Sequence, residues 1–554
     1  MEHSKLAKRL WILLFAAISA FYLYGLGAIP FVGPDEPRYA EVAREMLARR
    51  DFITPTLGGL PWFEKPPLLY WMTAISYRMF GVNEYAARLA PALCGLVTGF
   101  FVWWLARSVV RVADPTNDRG SLLPNRAALV FLSSLGALVF SRAASFDMVL
   151  TMTLTAALAC FSVAQIRQSN ENGGPGASRN RQGHLLVLFY LFVGLSLLAK
   201  GLLGLIIPFG IIAIYLILRR EWPERTLWRS LSWGVPIVLA VAGAWYGPML
   251  QRHGWRFVDQ FIIQHHFARF LTNKYHHPQP FYYYLPTLAW LIAPWTIFVA
   301  AGVYSAARSR WRDATPMAKL ETFAFVWIVF PFLFFSLSGS KLPGYILPIL
   351  PAAALVIGKR FVGSGETVTD KTLMRISGLL LALIAAGGWW YATRNLGVSE
   401  FLASVAALGL VVAAVCALIF PLRSTTFVVL ALSFVLITGV AIHSTVAIAA
   451  RTSVRDLIAQ ADERGYSATP VFLMLSDDRT AEFYAGGRLA YQSDGEPIRF
   501  DGARELGEAI RRSGGVGLVI IETRWQKQLT DYAGLQAELI GSNGPSTLFV
   551  VRSR

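Results

Sequence analysis

Residues 11–29, WILLFAAISAFYLYGLGAI, carry no charge, and shortly after them comes Gly33-Pro34-Asp35-Glu36-Pro37-Arg38-Tyr39. An apolar helix of about 20 residues crosses the hydrocarbon layer of a bilayer. The run exceeds the apolar region of a secretory signal, and Gly33-Pro34-Asp35 is a poor cleavage site, so the segment reads as a retained span. Two adjacent carboxylates at the end of a span are costly to place there. Asp35 and Glu36 are therefore the first candidate functional groups.

Further apolar stretches follow at 89–106, 127–141, 148–166, 185–199, 201–218, 232–250, 285–304, 322–338, 343–358, 377–393, 402–421 and 426–449. The composition agrees: 55% hydrophobic, 15% charged and a mean hydropathy of +0.47. Soluble domains carry nearer a quarter of charged residues. A net charge of +17 would suggest nucleic acid in a soluble protein, but here the basic residues sit in short connections between spans. No nucleic-acid partner is expected. Cys94, Cys160 and Cys416 all fall inside apolar stretches, with neither metal spacing nor a disulfide pattern.

Charge also sets the orientation. With Lys5, Lys8 and Arg9 in the cytoplasm, alternate connections should be basic. They carry Arg107, Arg111, Arg119 and Arg126, then Arg167, Arg179 and Arg181, then Arg219, Arg220, Arg225 and Arg229, then Arg308, Arg310, Arg312 and Lys319, then Lys359, Arg360, Lys371 and Arg375. The opposite connections include short ones with a single basic residue, such as Arg142, Lys200, Lys341 and Arg394. The expected fold is an α-helical polytopic membrane protein with about 13 transmembrane helices over 1–450, followed by a C-terminal soluble α/β domain over 451–554. Loops 30–85 and 251–284 and the tail are expected on the non-cytoplasmic side, the loops as part of the membrane domain.

Loop 30–85 has structure of its own. Asp35 can cap a helix whose first turn holds Pro37. Tyr39, Val42, Ala43, Met46 and Leu47 then form one face, and Glu45 and Arg49 are spaced to pair. A second amphipathic piece follows Pro66-Pro67, with Leu69, Met72, Ile75, Met79 and Phe80. Both suit helices lying along a membrane surface. In the tail, helical patterns at Ser453–Arg464 and Ala503–Arg512 alternate with β-rich runs at Val471–Leu475, Val516–Glu522 and Thr547–Val551. No glycine-rich phosphate loop is present.

Several groups on the outer face could carry chemistry, and each has a plain alternative. Asp35 could serve only as a helix cap and Glu36 only as a partner of the helix dipole. Glu64-Lys65-Pro66-Pro67 is either a surface ion pair at a helix start or a phosphate site with Lys65 as a point charge. Arg142 and Lys200 could snorkel to the interface, whereas Asp147 is too short to reach far. His265-His266-Phe267-Ala268-Arg269-Phe270 places adjacent histidines about 100° apart on a helix, which disfavours a shared ion. No cofactor is required; a zinc or magnesium ion held by Glu64 and His265 on a lipid phosphate stays open. Ser338-Gly339-Ser340-Lys341-Leu342-Pro343-Gly344-Tyr345 reads as a tight turn presenting Lys341 and Tyr345, or as a loop with an interfacial tyrosine. All these groups fall on one predicted side. Carboxylates with several cations at a membrane surface suit a lipid-linked phosphosugar.

The motifs PDEPRYAEVAREML, WFEKPPLLYW, LAKGLLGLIIP, HHFARF and SGSKLPGYILP, in that order, resemble the polytopic C-type glycosyltransferases. More narrowly the chain is similar to the lipid A 4-amino-4-deoxy-L-arabinose transferases, relatives of the protein O-mannosyltransferases. The resemblance covers about residues 30–360; the tail matches in arrangement only. It implies an undecaprenyl phosphate–sugar donor, a lipid A acceptor, and a site facing the periplasm from the bacterial inner membrane. It also implies that Asp35, Arg38, Glu64, Lys65, Asp147, Arg269, Lys341 and Tyr345 line that site. His265 departs from the family, many members of which have an acidic residue there. Action as a monomer is expected.

Transfer from a glycosyl phosphate passes through an oxocarbenium-like state that carboxylates can steady. Cations such as Lys65 and Arg269 would stabilise the departing phosphate. An anionic phosphate acceptor needs no strong general base, whereas a hydroxyl acceptor on protein or another glycan would. A polyprenyl-lipid transporter, the competing class, should show repeated halves and charges near mid-membrane, and neither is visible in the sequence.

Overall fold

The computed structural model describes residues 2–116, 121–168, 175–223, 225–268, 279–361, 367–492 and 495–553. These form two compact units. The first comprises 1–24, 64–69 and 90–440, and the second 25–63, 70–89 and 441–554. Most of loop 30–85 thus groups with the tail, whereas the sequence reading placed it in the membrane domain.

The first unit is helical. Among the described residues of the whole chain, nine helices are long and apolar enough to span a bilayer. The other expected spans take shorter forms. Residues Leu203–Arg219 make a 17-residue helix. The stretch 285–304 becomes Phe281–Leu291 and Thr296–Ala307, bent by 115° around a break that holds Pro294. The stretch 127–141 splits at Ser134, whose extended backbone (ψ 137°) separates helices Leu123–Ser133 and Leu135–Phe140. The stretch 343–358 opens as a 3-10 turn, Pro343–Ile349, before helix Leu350–Arg360. Each break lies at proline, or at a serine whose hydroxyl bonds its own backbone: Ser134 Oγ donates to Phe131 O at 2.7 Å.

Helix Phe146–Gln168 is central, with 89% of its apolar window buried. Its neighbours close in through small residues. A Cβ on Gly358 would lie 2.9 Å from the Ala127 backbone, the close approach that glycine and alanine permit between membrane helices. Buried indoles spend their N–H groups internally. Trp295 donates to Ser133 Oγ at 3.1 Å and Trp327 to Pro348 O at 2.9 Å.

Loop 251–284 is helical over 251–268. Helix Arg225–Phe257 kinks at Gly254 and runs on as a π-helix over Val258–Ala268.

The second unit holds helix Asp35–Arg49, a hairpin of β1 (Thr56–Leu57) and β2 (Leu60–Pro61), and a five-stranded sheet. The sheet runs β4 (Arg499–Phe500), β3 (Val471–Met474), β5 (Val516–Glu522), β7 (Ser546–Ser553), β6 (Leu535–Ser542). β3 lies parallel to β4 and β5, and β7 lies antiparallel to β5 and β6. Alternate side chains build two apolar layers. Val471, Leu473, Leu518, Ile520, Leu548 and Val550 face one, and Phe472, Met474, Val519, Ile521, Phe549 and Val551 the other. Burial on both faces is why these strands read as unbroken apolar runs. Helix Ala503–Arg512 covers one layer with Ala503, Leu506 and Ile510.

Candidate functional site

In the second unit, Pro34 already has helical backbone angles, so the helix starts at Asp35, one residue before the expected cap would allow. Asp35 makes no cap. Its exposed carboxylate meets Arg38 Nη2 at 3.2 Å. Arg38 donates through Nε to Pro34 O at 2.9 Å and lies over the Trp62 ring at 5.6 Å. Glu45 does not serve Arg49 as the spacing suggested; it accepts from Thr56 Oγ1 at 2.5 Å and Gly59 N at 3.1 Å, which anchors the hairpin.

Glu36 has a partner that the sequence did not point to. It turns inward to Arg88, 2.8 Å away, whose side chain is only 4% exposed. Arg88 also donates to the carbonyls of Leu26 at 2.9 Å and Ile29 at 2.5 Å. A guanidinium this buried requires a counter-charge. Glu36 therefore has a structural role as the counter-charge of the buried Arg88.

The tail is tied to the same helix. The Phe31 N–H donates to the Tyr484 hydroxyl at 2.9 Å, and that hydroxyl donates to Glu84 at 2.8 Å. Arg44 bridges Glu41 at 2.5 Å and Phe483 O at 3.3 Å. Burial pushes the Glu41 carboxyl up to about 8, against the lowering pull of Arg44. Glu482 is raised by burial as well.

In the first unit, Asp147 opens helix Phe146–Gln168 and Lys200 closes helix Pro175–Lys200, where Gly201 turns the chain with φ +66°. The Lys200 ammonium donates to the Asp147 carboxylate. It also lies 4.7 Å from the centre of the Tyr345 ring. Gly344 passes so close to Asp147 that a Cβ there would collide with the carboxylate. Lys341 is buried and donates to Ser338 O at 2.6 Å and Gln279 O at 3.2 Å. An ammonium has three donors, and two of this one go to those carbonyls. The structure thus brings together Asp147, Lys200 and Tyr345 from three separate stretches of sequence, and Lys341 belongs to the same turn as Tyr345. It can present positive charge and a donor to an anion while Asp147 offsets Lys200.

Glu64 and Lys65 lie half-buried in the turn before helix Leu68–Phe80. His265 is half-buried on the π-helix. Arg269 and the His266 side chain lie outside the described residues. Among the described residues no three His, Cys, Asp or Glu side chains gather as a metal cage would require.

Sequence reasoning missed Arg88 and Glu41. Arg88 had a signal, a lone guanidinium entering a long apolar run. Glu41 had none, because Phe483 and Glu482, which bury it, lie more than 400 residues away in the chain.

Residues 9–271 match the family model for dolichyl-phosphate-mannose-protein mannosyltransferases. Undecaprenyl phosphate-alpha-4-amino-4-deoxy-L-arabinose arabinosyl transferase of Edwardsiella ictaluri is 30% identical over 381 residues, 68% of this chain and 64% of that protein. The protein of the same name from Pseudomonas paraeruginosa is 32% identical over 394 residues, 69% of this chain and 66% of that one. The match thus spans slightly less than two thirds of these relatives' own length. ArnT from Cupriavidus metallidurans, solved bound to undecaprenyl phosphate, superposes with a TM-score of 0.76 at 23% identity, covering 98% of both chains. That likeness establishes the shared fold.

Proposed function

The chain belongs to the family of polytopic membrane glycosyltransferases that includes these aminoarabinose arabinosyl transferases, and from that premise we propose that it transfers 4-amino-4-deoxy-L-arabinose from undecaprenyl phosphate to a phosphate of lipid A, at the periplasmic face of the bacterial inner membrane. The observation that carries the reading is Lys200 held between the Asp147 carboxylate and the Tyr345 ring, with Lys341 in the same turn as Tyr345. In the reaction the bond between the sugar C1 and the donor phosphate oxygen breaks, and undecaprenyl phosphate leaves with the electron pair. An acceptor phosphate oxygen forms the new bond to C1. Both ends are phosphate oxygens, so no proton needs to move and no general base is required.

The departing phosphate gains negative charge in the transition state, and preorganised cations lower the barrier by meeting it. Lys341 is held for this by two carbonyls, and Lys200 by Asp147 and the Tyr345 ring. Fixed donors need little reorganisation as charge develops. Asp35, exposed and paired with Arg38, has the charge that suits an aminosugar ammonium. Its task is to steady positive charge on the sugar.

Purified protein in nanodiscs, given undecaprenyl phosphate–aminoarabinose and lipid A, should release one undecaprenyl phosphate per modified phosphate. Movement of the donor between leaflets without glycosidic transfer would overturn the reading in favour of a transporter. Transfer only to a protein hydroxyl would overturn the acceptor assignment.

A further inference from the structure

The sheet of the second unit has a cavity of about 660 Å³ that the reaction above does not use. Topology explains its position. β3 and β5 are parallel neighbours; the chain leaves β3 for β4 toward one edge and leaves β5 for β6 toward the other. Connections that part in this way leave a crevice at the carboxyl ends of the two strands, where open α/β sheets place their ligands. Ser476, Asp478 and Arg479 follow β3, Glu522 and Arg524 end and follow β5, and all five line the crevice. The β6–β7 turn and Gly33-Pro34 supply further walls.

Two features mark it as more than a surface dent. Leu475, the first residue beyond β3, has φ +46°, a left-handed backbone that a leucine side chain disfavours. Asp478 is half-buried at the crevice and accepts from both the N–H and the hydroxyl of Thr480, at 2.9 and 2.6 Å. Arg524 and Glu522 pair at 2.5 Å, with the guanidinium largely exposed.

The lining selects by chemistry. Asp478, Glu522 and the neighbouring Asp477 would repel a simple anion, and Arg479 and Arg524 would repel a simple cation. No glycine-rich loop cradles a phosphate chain. Interleaved carboxylates, guanidiniums and hydroxyls instead match a ligand with many donors and acceptors of its own, a sugar, with the largely exposed Arg524 able to take a phosphate attached to it, while Arg479 is held by Glu482 and Glu496. Gly33-Pro34 runs directly into Asp35, so a headgroup in the crevice lies beside the acidic motif.

We infer that this crevice is a saccharide site that holds the phosphorylated sugar headgroup of the acceptor glycolipid. The inference rests on the proposed transfer to lipid A. The test uses the full chain in nanodiscs and the double variant Asp477→Ala/Arg524→Ala, whose side chains are 81% and 71% exposed and so are dispensable for folding. The probes are the deacylated, diphosphorylated glucosamine disaccharide of lipid A and free 4-amino-4-deoxy-L-arabinose, titrated by calorimetry. The double variant should bind the disaccharide at least about tenfold more weakly. Its KM for lipid A should rise equally, with kcat and donor KM unchanged. Unchanged disaccharide affinity, or weakening toward the aminopentose alone, overturns the inference. If the wild type binds the disaccharide and the variant does not, yet neither transfers sugar, the crevice stands and the proposed reaction falls. If both transfer with the same acceptor KM, the crevice falls and the reaction stands.

Discussion

At the scale of single residues, two adjacent carboxylates have opposite fates. Asp35 faces outward to Arg38, while Glu36 turns inward to the buried Arg88. Removing one partner of such a pair leaves an unpaired buried charge, at a cost of about 3–5 kcal/mol. Glu36→Gln should therefore lower the melting temperature sharply, and Glu36→Gln/Arg88→Met should recover only part of the loss, because the Leu26 and Ile29 carbonyls lose their donor. A double variant no more stable than the single one would show that the pair is not the reason. Lys341→Ala removes a cation without touching that pair. It should cut turnover about 10²–10³-fold, the scale of losing one preorganised donor, while the melting temperature holds. An equal fall in both would assign Lys341 to folding. The sequence showed Asp147, Lys200, Lys341 and Tyr345 as polar groups beside apolar runs, but the meeting of Asp147, Lys200 and Tyr345 depends on contacts between distant segments. The pairing of Glu36 was hidden because nothing in its neighbourhood names Arg88.

Among the elements, helix Asp35–Arg49 is the one that pH should reach. Glu41 titrates near 8 in the fold against an ordinary 4.5, because burial outweighs Arg44. A carboxyl raised in the folded state binds its proton more tightly there than when unfolded, so its stabilising effect is complete below about 4.5 and is lost as pH rises through about 8. The second unit should accordingly melt at progressively lower temperature across that window, and Glu41→Gln should flatten the dependence. A wild-type profile that is flat or rises over the same range would contradict this. Helix Ala503–Arg512 was legible to its ends because its buried face recurs with helical spacing. β6 was not, since it is an edge strand with only Leu535 and Ile540 buried and Glu538 in its middle. The broken spans at 127–141 and 343–358 were legible as apolar but not as broken, because hydropathy does not register a serine that bonds its own backbone or a proline that withholds a donor.

For the whole molecule, the alternation of basic connections predicts which ends face the cytoplasm. The native cysteines Cys94 and Cys160 are buried, so an added thiol reports its side once the half-buried Cys416 of helix Glu400–Ile419 is replaced by serine. Ser513→Cys should react with a membrane-impermeant maleimide in spheroplasts, and Asp313→Cys only after permeabilisation; the reverse pattern would invert the topology. The central claim is tested most directly by mass spectrometry of lipid A from a strain lacking this gene, complemented with the wild type or with Lys341→Ala. The account predicts lipid A phosphates carrying one added aminopentose with the wild type, and near-complete loss with Lys341→Ala at equal protein level. Unmodified lipid A in the wild-type complement, under conditions where the donor lipid is made, would contradict it.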